Sequence, residues 1–253
     1  MLSLTGDYMS ITATIHTLYW ENSDPDIVDS HKKVINHFNL PVEYHIKTIR
    51  HGHWMQEVLN DETSDIVGFC DIDCIPLRQS TFTETIKICA AHKSMCGIAQ
   101  ATNHIPPMSH IFCGPGYFFI WRKLYEALGR PPMMETQRSD VCEEICYQAE
   151  SRGIRYQTFF PTHFEREPVE GAWRLHNLGI YGVGTTYGDM VYHLFQGRMK
   201  ENAQLFKKRC DQVVNGTFST KGMHSSTDIL GFRGRISVFP PEQQLKQPLI
   251  GLL

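Results

Sequence analysis

Two aspartates separated by one residue stand near the end of an apolar stretch of this chain. The stretch reads DIVGFCDIDCIPL, from Asp65 to Leu77, and its paired acids are Asp71 and Asp73. In an extended strand, residues two apart point to the same side, so we expect both carboxylates to lie on one face. The repulsion between like charges this close, in partly desolvated surroundings, costs kilocalories per mole unless a cation lies between them. The spacing therefore predicts a metal site.

The ligand type indicates which metal this site would take. Sites made only of oxygen ligands favour Mg²⁺ or Mn²⁺, and these ions keep open positions for substrate phosphates. A solvated turn is the other interpretation of an Asp-x-Asp pair. The apolar run that leads into the acids, and Pro76 that ends it, favour the metal site, with a diphosphate as its expected ligand.

A later segment, YHLFQGRMK, could complete the shell of that metal. It contains His193, and imidazole suits Mn²⁺ better than Mg²⁺. Arg198 and Lys200 could neutralise a diphosphate, and Gly197 would let the backbone approach it closely. A core histidine followed by the basic start of a helix explains the same residues equally well.

Strands and helices alternate in the part of the chain that leads to the acids. Residues 10–20 are rich in β-branched and aromatic side chains, and 41–49 form a second such run, with an amphipathic helical pattern after each. This order predicts a parallel α/β sheet, in which ligands bind beyond the carboxyl ends of the strands. The Gly-Pro-Gly of FCGPGYFFIW is expected to open a later strand, and a helix is expected from about Glu201 to Val213.

The composition bounds the class of protein. The 253 residues are 42% hydrophobic and carry a net charge of −3, which favours one large core and no binding to nucleic acid or acidic membranes. No apolar run approaches the roughly 18–20 residues of a membrane span, and the N-terminus lacks a signal-like segment. The eight cysteines form no CxxC pair, so we expect free buried thiols and a soluble, cytoplasmic protein.

Taken together, these segments resemble the GT-A class of nucleotide-sugar-dependent glycosyltransferases over roughly Ile11 to Arg209. The acid pair matches the DxD motif of that class, and YHLFQGRMK is similar to its C-terminal metal-histidine segment. The resemblance implies a GT-A-like single α/β domain over residues 1–253, with a mostly parallel central sheet flanked by helices and a small C-terminal extension. Residues 1–105 would bind the nucleotide sugar, 106–200 would face the acceptor, and 201–253 would form a C-terminal helix and tail.

The resemblance also assigns roles to individual residues. It implies a divalent ion, Mn²⁺ or Mg²⁺, held by Asp71, Asp73 and His193, and a nucleoside-diphosphate sugar as donor. The nucleotide-sugar contacts that it implies are Thr17, Leu18, Tyr19, Trp20, Asp71, Asn103, Gly116, Arg198 and Lys200.

The acidic segment SDVCEEI is similar to the late acidic element of the class, although it lacks a clean Glu-Asp pair. One of Asp140, Glu143 or Glu144 is expected to be catalytic and to accept a proton from the acceptor hydroxyl. A capping arrangement is the competing interpretation, with Asp140 as the N-cap and Glu143 as its N3 partner, worth about 1 kcal/mol. Whether the reaction inverts or retains the anomeric configuration stays open.

The predicted function is metal-dependent transfer of a sugar to a hydroxyl acceptor, such as a glycan in polysaccharide biosynthesis, a lipid-linked sugar or a protein. A sugar-1-phosphate nucleotidyltransferase is the alternative enzyme, but it is expected to have a Gly-rich basic loop after the first strand. TLYWENSDPD has neither feature. A non-catalytic carbohydrate-binding protein is the third hypothesis.

Overall fold

The computed structural model of the chain describes residues 2–4, 11–102, 110–168, 173–176, 178–197 and 199–227, and the statements below concern these residues. Its strands, in chain order, are β1 (Leu2–Leu4), β2 (Ile11–Tyr19), β3 (Glu43–Ile46), β4 (Ile66–Cys70), β5 (Cys74–Pro76), β6 (Met95–Ala101), β7 (Ile111–Trp121), β8 (Gln157–Phe159), β9 (Pro161–Arg166), β10 (Trp173–Arg174), β11 (Ile180–Tyr181), β12 (Val183–Tyr187), β13 (Val191–His193) and β14 (His224–Ser225). Its helices are α1 (Pro25–His37), α2 (His51–Asp61), α3 (Thr81–His92), α4 (Arg122–Ala127), α5 (Glu143–Ser151) and α6 (Lys200–Val214).

A seven-stranded sheet forms the centre of the described structure. Its strand order is β1-β2-β4-β7-β6-β8, and β3 also pairs with β2. Strands β2, β3, β4, β6 and β8 run in one direction, whereas β7 is antiparallel to both of its neighbours and β1 is antiparallel to β2. The structure therefore confirms the predicted fold class, an α/β fold whose mostly parallel central sheet is flanked by helices.

Helices cover both faces of this sheet. On one face, Val67 and Phe69 of β4 pack in the same cluster as Trp54 of α2. On the other face, Ile66 of β4 packs with Phe82 of α3. Every residue of β4 is buried, which explains its continuous apolar sequence, because a strand covered on both faces has no polar side.

A second, antiparallel sheet stands beside the first, in the order β14-β9-β12-β13-β5. Its strand β5 begins only four residues after β4 ends, so the chain passes directly from one sheet into the other. Strand β13 pairs with β5 and places His193 opposite Cys74. Helix α6 packs against α1, with Phe206, Tyr192 and Val34 in one cluster.

The Asp65–Leu77 stretch is not the single strand that its sequence predicts. Strand β4 ends at Cys70, and the backbone N–H of Cys74 donates to the Asp71 carbonyl at 2.9 Å, which closes a tight turn. The two acids therefore lie in a turn, and strand periodicity does not explain why they are neighbours. The turn exists because the chain changes sheets at this point.

Two other boundaries, at the Gly-Pro-Gly segment and at the start of α5, also differ from the sequence-based expectations. The Gly-Pro-Gly segment lies inside β7, where the register with β6 shifts, so it forms a bulge rather than the start of the strand. Helix α1 begins at Pro25 after the N-cap Asp24, a suitable first residue because proline has no N–H to satisfy. Helix α5 begins at Glu143 rather than directly after Asp140.

All eight cysteines are buried and free of disulfides, as their spacing predicts. None of the helices in the described part of the chain combines the length and the hydrophobicity needed to cross a membrane.

Candidate functional site

The turn between β4 and β5 brings the two acids to the histidine of β13. Ligand atoms of Asp71, Asp73 and His193 all lie within 4.8 Å of one another, and His193 Nε2 is 3.4 Å from Asp73 Oδ1. The carboxylates are partly exposed and the imidazole is buried. Two carboxylates and an imidazole form a donor set that suits Mn²⁺, so the three side chains fit the divalent ion that the sequence predicts.

Backbone hydrogen bonds fix this turn on both sides. The N–H of Asp71 donates to the Gly116 carbonyl in the β7 bulge at 2.9 Å, and the N–H of Leu194 donates to the Asp73 carbonyl at 2.8 Å. The first bond ties the turn to the central sheet and the second ties it to the strand that carries His193. The acids are thus held by main-chain contacts, which leave their oxygens directed to other partners.

Two glycines leave the space that these side chains occupy. A Cβ on Gly197 would lie 2.7 Å from Asp73 Oδ2, and a Cβ on Gly116 would lie 2.7 Å from His193 Cε1. Neither distance is a tolerable non-bonded contact. The positions of the acid and the imidazole therefore depend on glycine at 116 and 197.

His51, the first residue of α2, contacts the site through Asp71. Its Nε2 lies 3.1 Å from Asp71 Oδ1 as an ion pair. Burial by itself would raise the pKa of Asp71, but the pKa is lowered because the charge of His51 and its hydrogen bond to the carboxylate favour the ionised form. The pKa of His51 is raised, since Asp71 and Asp73 outweigh the effect of its burial. Asp71 is accordingly ionised at neutral pH.

The predicted site residues do not include His51. Its position was nevertheless predictable in part, because HGHW follows a strand and opens a helix, and such residues lie at the carboxyl edge of a parallel sheet. Only the tertiary structure shows that this edge is shared with Asp71.

The site opens into a cleft of about 1040 Å³, a volume suited to a large organic ligand. One wall is the end of β2 with the loop that follows it, and the other is the segment from His193 to Gly197. The predicted site residues that line this cleft are Leu18, Tyr19, Trp20, Asp71, Asp73, Gly116 and His193.

Other predicted contacts lie elsewhere. Thr17 is fully buried and its hydroxyl donates to the Cys70 carbonyl at 2.7 Å, so it supports the strands below the cleft without lining it. Lys200 is exposed at the first residue of α6 and is not part of the cleft wall. Asn103 and Arg198 lie outside the described residues.

The three late acids have different environments. Glu143 is completely buried, accepts a hydrogen bond from Thr102 Oγ1, and pairs with His110. It also accepts from the backbone N–H of Asp140 at 2.7 Å, which is the reach-back half of the predicted capping arrangement. Glu144 forms an ion pair with Arg138. Asp140 is partly buried, and its Oδ1 accepts a hydrogen bond from the backbone N–H of Val141 at 2.7 Å.

The partly buried ion pairs of His110 predict a stability that depends on pH. Its Nδ1 and Nε2 lie 2.8 Å and 3.0 Å from carboxylate oxygens of Glu143 and Glu150. Burial lowers the pKa of His110, but hydrogen bonds to both acids outweigh it and raise the pKa to about 9. Because the folded pKa exceeds the unfolded value, the stabilisation is complete below about pH 6.5 and is lost towards pH 9.

We expect the wild-type free energy of unfolding to fall by on the order of 3 kcal/mol between about pH 6.5 and about pH 9, relative to His110→Gln. Urea unfolding of both proteins across this range measures the difference. A gap between the two curves that stays constant with pH would show that His110 is not charged in the folded state.

Several solved structures of enzymes resemble this fold at low sequence identity. No protein-family model matches the chain, and no curated protein matches its sequence. Solved structures that resemble it include mannosyltransferase PcManGT from Pyrobaculum calidifontis in complex with GDP-Man and Mn²⁺, at 13% identity and a TM-score of 0.42, covering 58% of this chain and 54% of that one.

A second is CMP:2-keto-3-deoxy-manno-octonic acid synthetase complexed with CTP, at 10% identity and a TM-score of 0.38, covering 59% and 89% of the two chains. A third is S. aureus TarS with UDP-GlcNAc, at 11% identity and a TM-score of 0.35, covering 55% and 53%. At these values the comparisons assign no activity to this chain.

Proposed function

We propose that this protein is a metal-dependent glycosyltransferase with a GT-A-like site, which moves a sugar from a nucleoside-diphosphate donor to a hydroxyl acceptor. The observation that carries the proposal is the convergence of Asp71, Asp73 and His193 in the floor of one large cleft. A paired-acid site beyond a parallel strand, open to a cleft of this volume, is suited to a divalent ion and a diphosphate.

Asp71, Asp73 and His193 would hold the ion. When bound, the ion supplies Lewis-acid stabilisation of the charge that develops on the diphosphate as the sugar leaves, an effect of several kcal/mol. Asp71 is kept ionised for this task by His51. Gly116 and Gly197 keep the imidazole and the Asp73 carboxylate where the ligand set needs them.

The nucleoside would lie against the wall formed by Leu18, Tyr19 and Trp20. The indole Nε1 of Trp20 donates to the Ile49 carbonyl at 3.1 Å, which holds the ring at the cleft wall. The hydroxyl of Tyr19 accepts from Lys32 Nζ at 3.1 Å. Fixed aromatic rings offer a stacking surface for a base, and the polar loop that follows, residues 22–24, offers hydrogen-bonding groups to the ribose.

The acceptor base is assigned to Asp140 as part of this proposal. Glu143 and Glu144 are both buried, Glu143 against Thr102 and His110, whereas Asp140 is partly exposed and can be reached by an acceptor. Burial raises the pKa of the Tyr181 phenol, the hydrogen bond to the Ala101 carbonyl opposes this, and Asp140 lies close enough for its charge to raise the pKa further. Ala101, whose carbonyl accepts the hydrogen bond from Tyr181, is the residue after Gln100, and Gln100 lines the cleft.

A screen of donor hydrolysis tests the proposal. The protein is incubated with UDP-, GDP- and CDP-linked sugars, with Mn²⁺ or with EDTA, and the release of nucleoside diphosphate is measured. We expect Mn²⁺-dependent release from at least one donor, because water can replace the acceptor at a low rate. The same assay with nucleoside triphosphates and sugar 1-phosphates identifies a nucleotidyltransferase by its release of pyrophosphate.

The outcomes separate the three hypotheses. Release of pyrophosphate alone would replace the proposal by nucleotidyl transfer. No turnover with any donor, together with no Mn²⁺-dependent shift of the unfolding temperature by nucleoside diphosphates, would favour a non-catalytic carbohydrate-binding protein.

A further inference from the structure

A second group of metal-type side chains lies outside the cleft, at the edge of the central sheet. Ligand atoms of His16, Glu43 and His45 lie within 4.8 Å of one another, and none of these residues lines the cleft. Strands β2 and β3 run parallel, with His16 opposite Glu43 and Leu18 opposite His45. The two β3 side chains therefore flank His16 on one face of the sheet.

The distances in this cluster are close to those of a metal site. His16 Nδ1 lies 3.0 Å from His45 Nε2 and 3.8 Å from Glu43 Oε2. Bonds of about 2.0–2.2 Å from Zn²⁺ to nitrogen and oxygen place two ligands of a tetrahedron about 3.3–3.5 Å apart. The two observed distances lie on either side of this value. Shifts of about half an ångström would bring His16 Nδ1 to ligand spacing from both partners. The third pair of atoms, on His45 and Glu43, lies within 4.8 Å.

A partly exposed carboxylate, that of Glu62, lies next to the central ligand. His16 Nε2 has no hydrogen-bond partner in the described structure, although the side chain is only 2% exposed, and its nearest acid is Glu62 Oε1 at 3.6 Å. The other oxygen of Glu62 accepts hydrogen bonds from Thr14 Oγ1 and Ser64 Oγ, both at 3.0 Å. Glu62 is thus fixed at the position from which a carboxylate orients a metal-binding histidine.

This arrangement defines which ring nitrogen would carry the proton. A proton on Nε2 faces Glu62, and Nδ1 then presents its lone pair to His45 and Glu43. A simple hydrogen bond between the two imidazoles would explain their 3.0 Å contact. It would leave the buried Nε2 of His16 and its alignment with Glu62 unexplained.

We propose that His16, His45 and Glu43 form a second divalent-metal site, of the zinc class, with Glu62 as the positioning residue. The donor set of two imidazoles and one carboxylate is typical of Zn²⁺, and water can fill the remaining position. Within the described residues, β3 pairs with β2 alone. An ion held by both strands would anchor this edge strand, and the site is independent of the glycosyltransferase proposal.

The test uses Zn²⁺ alone, in a background that removes the first site. Equilibrium dialysis with metal analysis, and thermal unfolding with and without Zn²⁺, are measured on the Asp73→Asn protein. We expect one tightly bound Zn²⁺ per chain and a higher unfolding temperature when it is bound. Adding His45→Ala should weaken the binding by at least about 100-fold, because one of three protein ligands is lost. The matched control, His53→Ala, removes an exposed histidine of α2 and should change nothing.

Two milder variants distinguish a loss of Zn²⁺ binding from a loss of the fold. Glu43→Gln changes an exposed side chain and should weaken Zn²⁺ binding while the unfolding temperature without metal is unchanged. Glu62→Gln should weaken binding by about 10–100-fold and alter the visible spectrum of bound Co²⁺, which reports ligand geometry. The proposal is overturned if the Asp73→Asn protein binds no Zn²⁺, or if it binds Zn²⁺ equally well with His45→Ala or Glu43→Gln.

Discussion

Asp73→Asn is expected to lower donor turnover by about 10³-fold or more and to remove most of the Mn²⁺-dependent affinity for nucleoside diphosphates. The amide keeps the shape of the side chain but loses the charge that holds the ion, and the ion is assigned several kcal/mol of transition-state stabilisation. Asp73 is partly exposed and its backbone carbonyl, which anchors Leu194, is unchanged. The fold should therefore survive the substitution.

Asp211→Asn is the matched control for this experiment. It makes the same chemical change at an exposed acid of α6 that pairs with Lys33, and surface pairs of this kind contribute little. We expect turnover and Mn²⁺ affinity close to those of the wild type. Wild-type turnover in the Asp73→Asn protein would contradict the assignment of a metal ligand at this position.

Gly197→Ala is expected to weaken Mn²⁺ binding by about 10–100-fold, the range found when groups that orient metal ligands are altered. The new methyl group would lie 2.7 Å from Asp73 Oδ2. That oxygen is at the free end of a side chain, so the carboxylate can rotate away without disturbing the core. The protein should stay folded while its ligand set is distorted, which a Mn²⁺ titration and a thermal unfolding curve would show together.

A double-mutant cycle shows whether this effect passes through the carboxylate. In the Asp73→Asn background, Gly197→Ala should cause no further loss of Mn²⁺ affinity, because the group that it displaces no longer binds the ion. Independent, additive losses would show that residue 197 acts on the site by another route.

The sequence was sufficient to predict the general architecture and the grouping of the site. The alternation of apolar strands and amphipathic helices predicted the α/β sheet, because it depends on local periodicity and burial. The structure also brings Asp71, Asp73 and His193 together as the sequence analysis grouped them. Their role as metal ligands remains a prediction.

Contacts that depend on tertiary structure were not predictable in the same way. The acids meet in a turn between two sheets, and no local pattern distinguishes that turn from the end of a strand. The pairing of His51 with Asp71, and the enclosure of Glu143 by His110, join residues 20 or more positions apart. The capping pattern at Asp140 was visible in the sequence. The complete burial of Glu143, next to a partly exposed Asp140, was not.

A crystal structure with Mn²⁺ and a nucleoside diphosphate tests the central claim most directly, through the anomalous signal of the manganese. We predict one peak between Asp71, Asp73 and His193, with the diphosphate bound to the same ion and the nucleoside against the wall formed by residues 18–20. Manganese bound at another place in the cleft, with Asp71 still paired to His51 and no ion at Asp73, would contradict it.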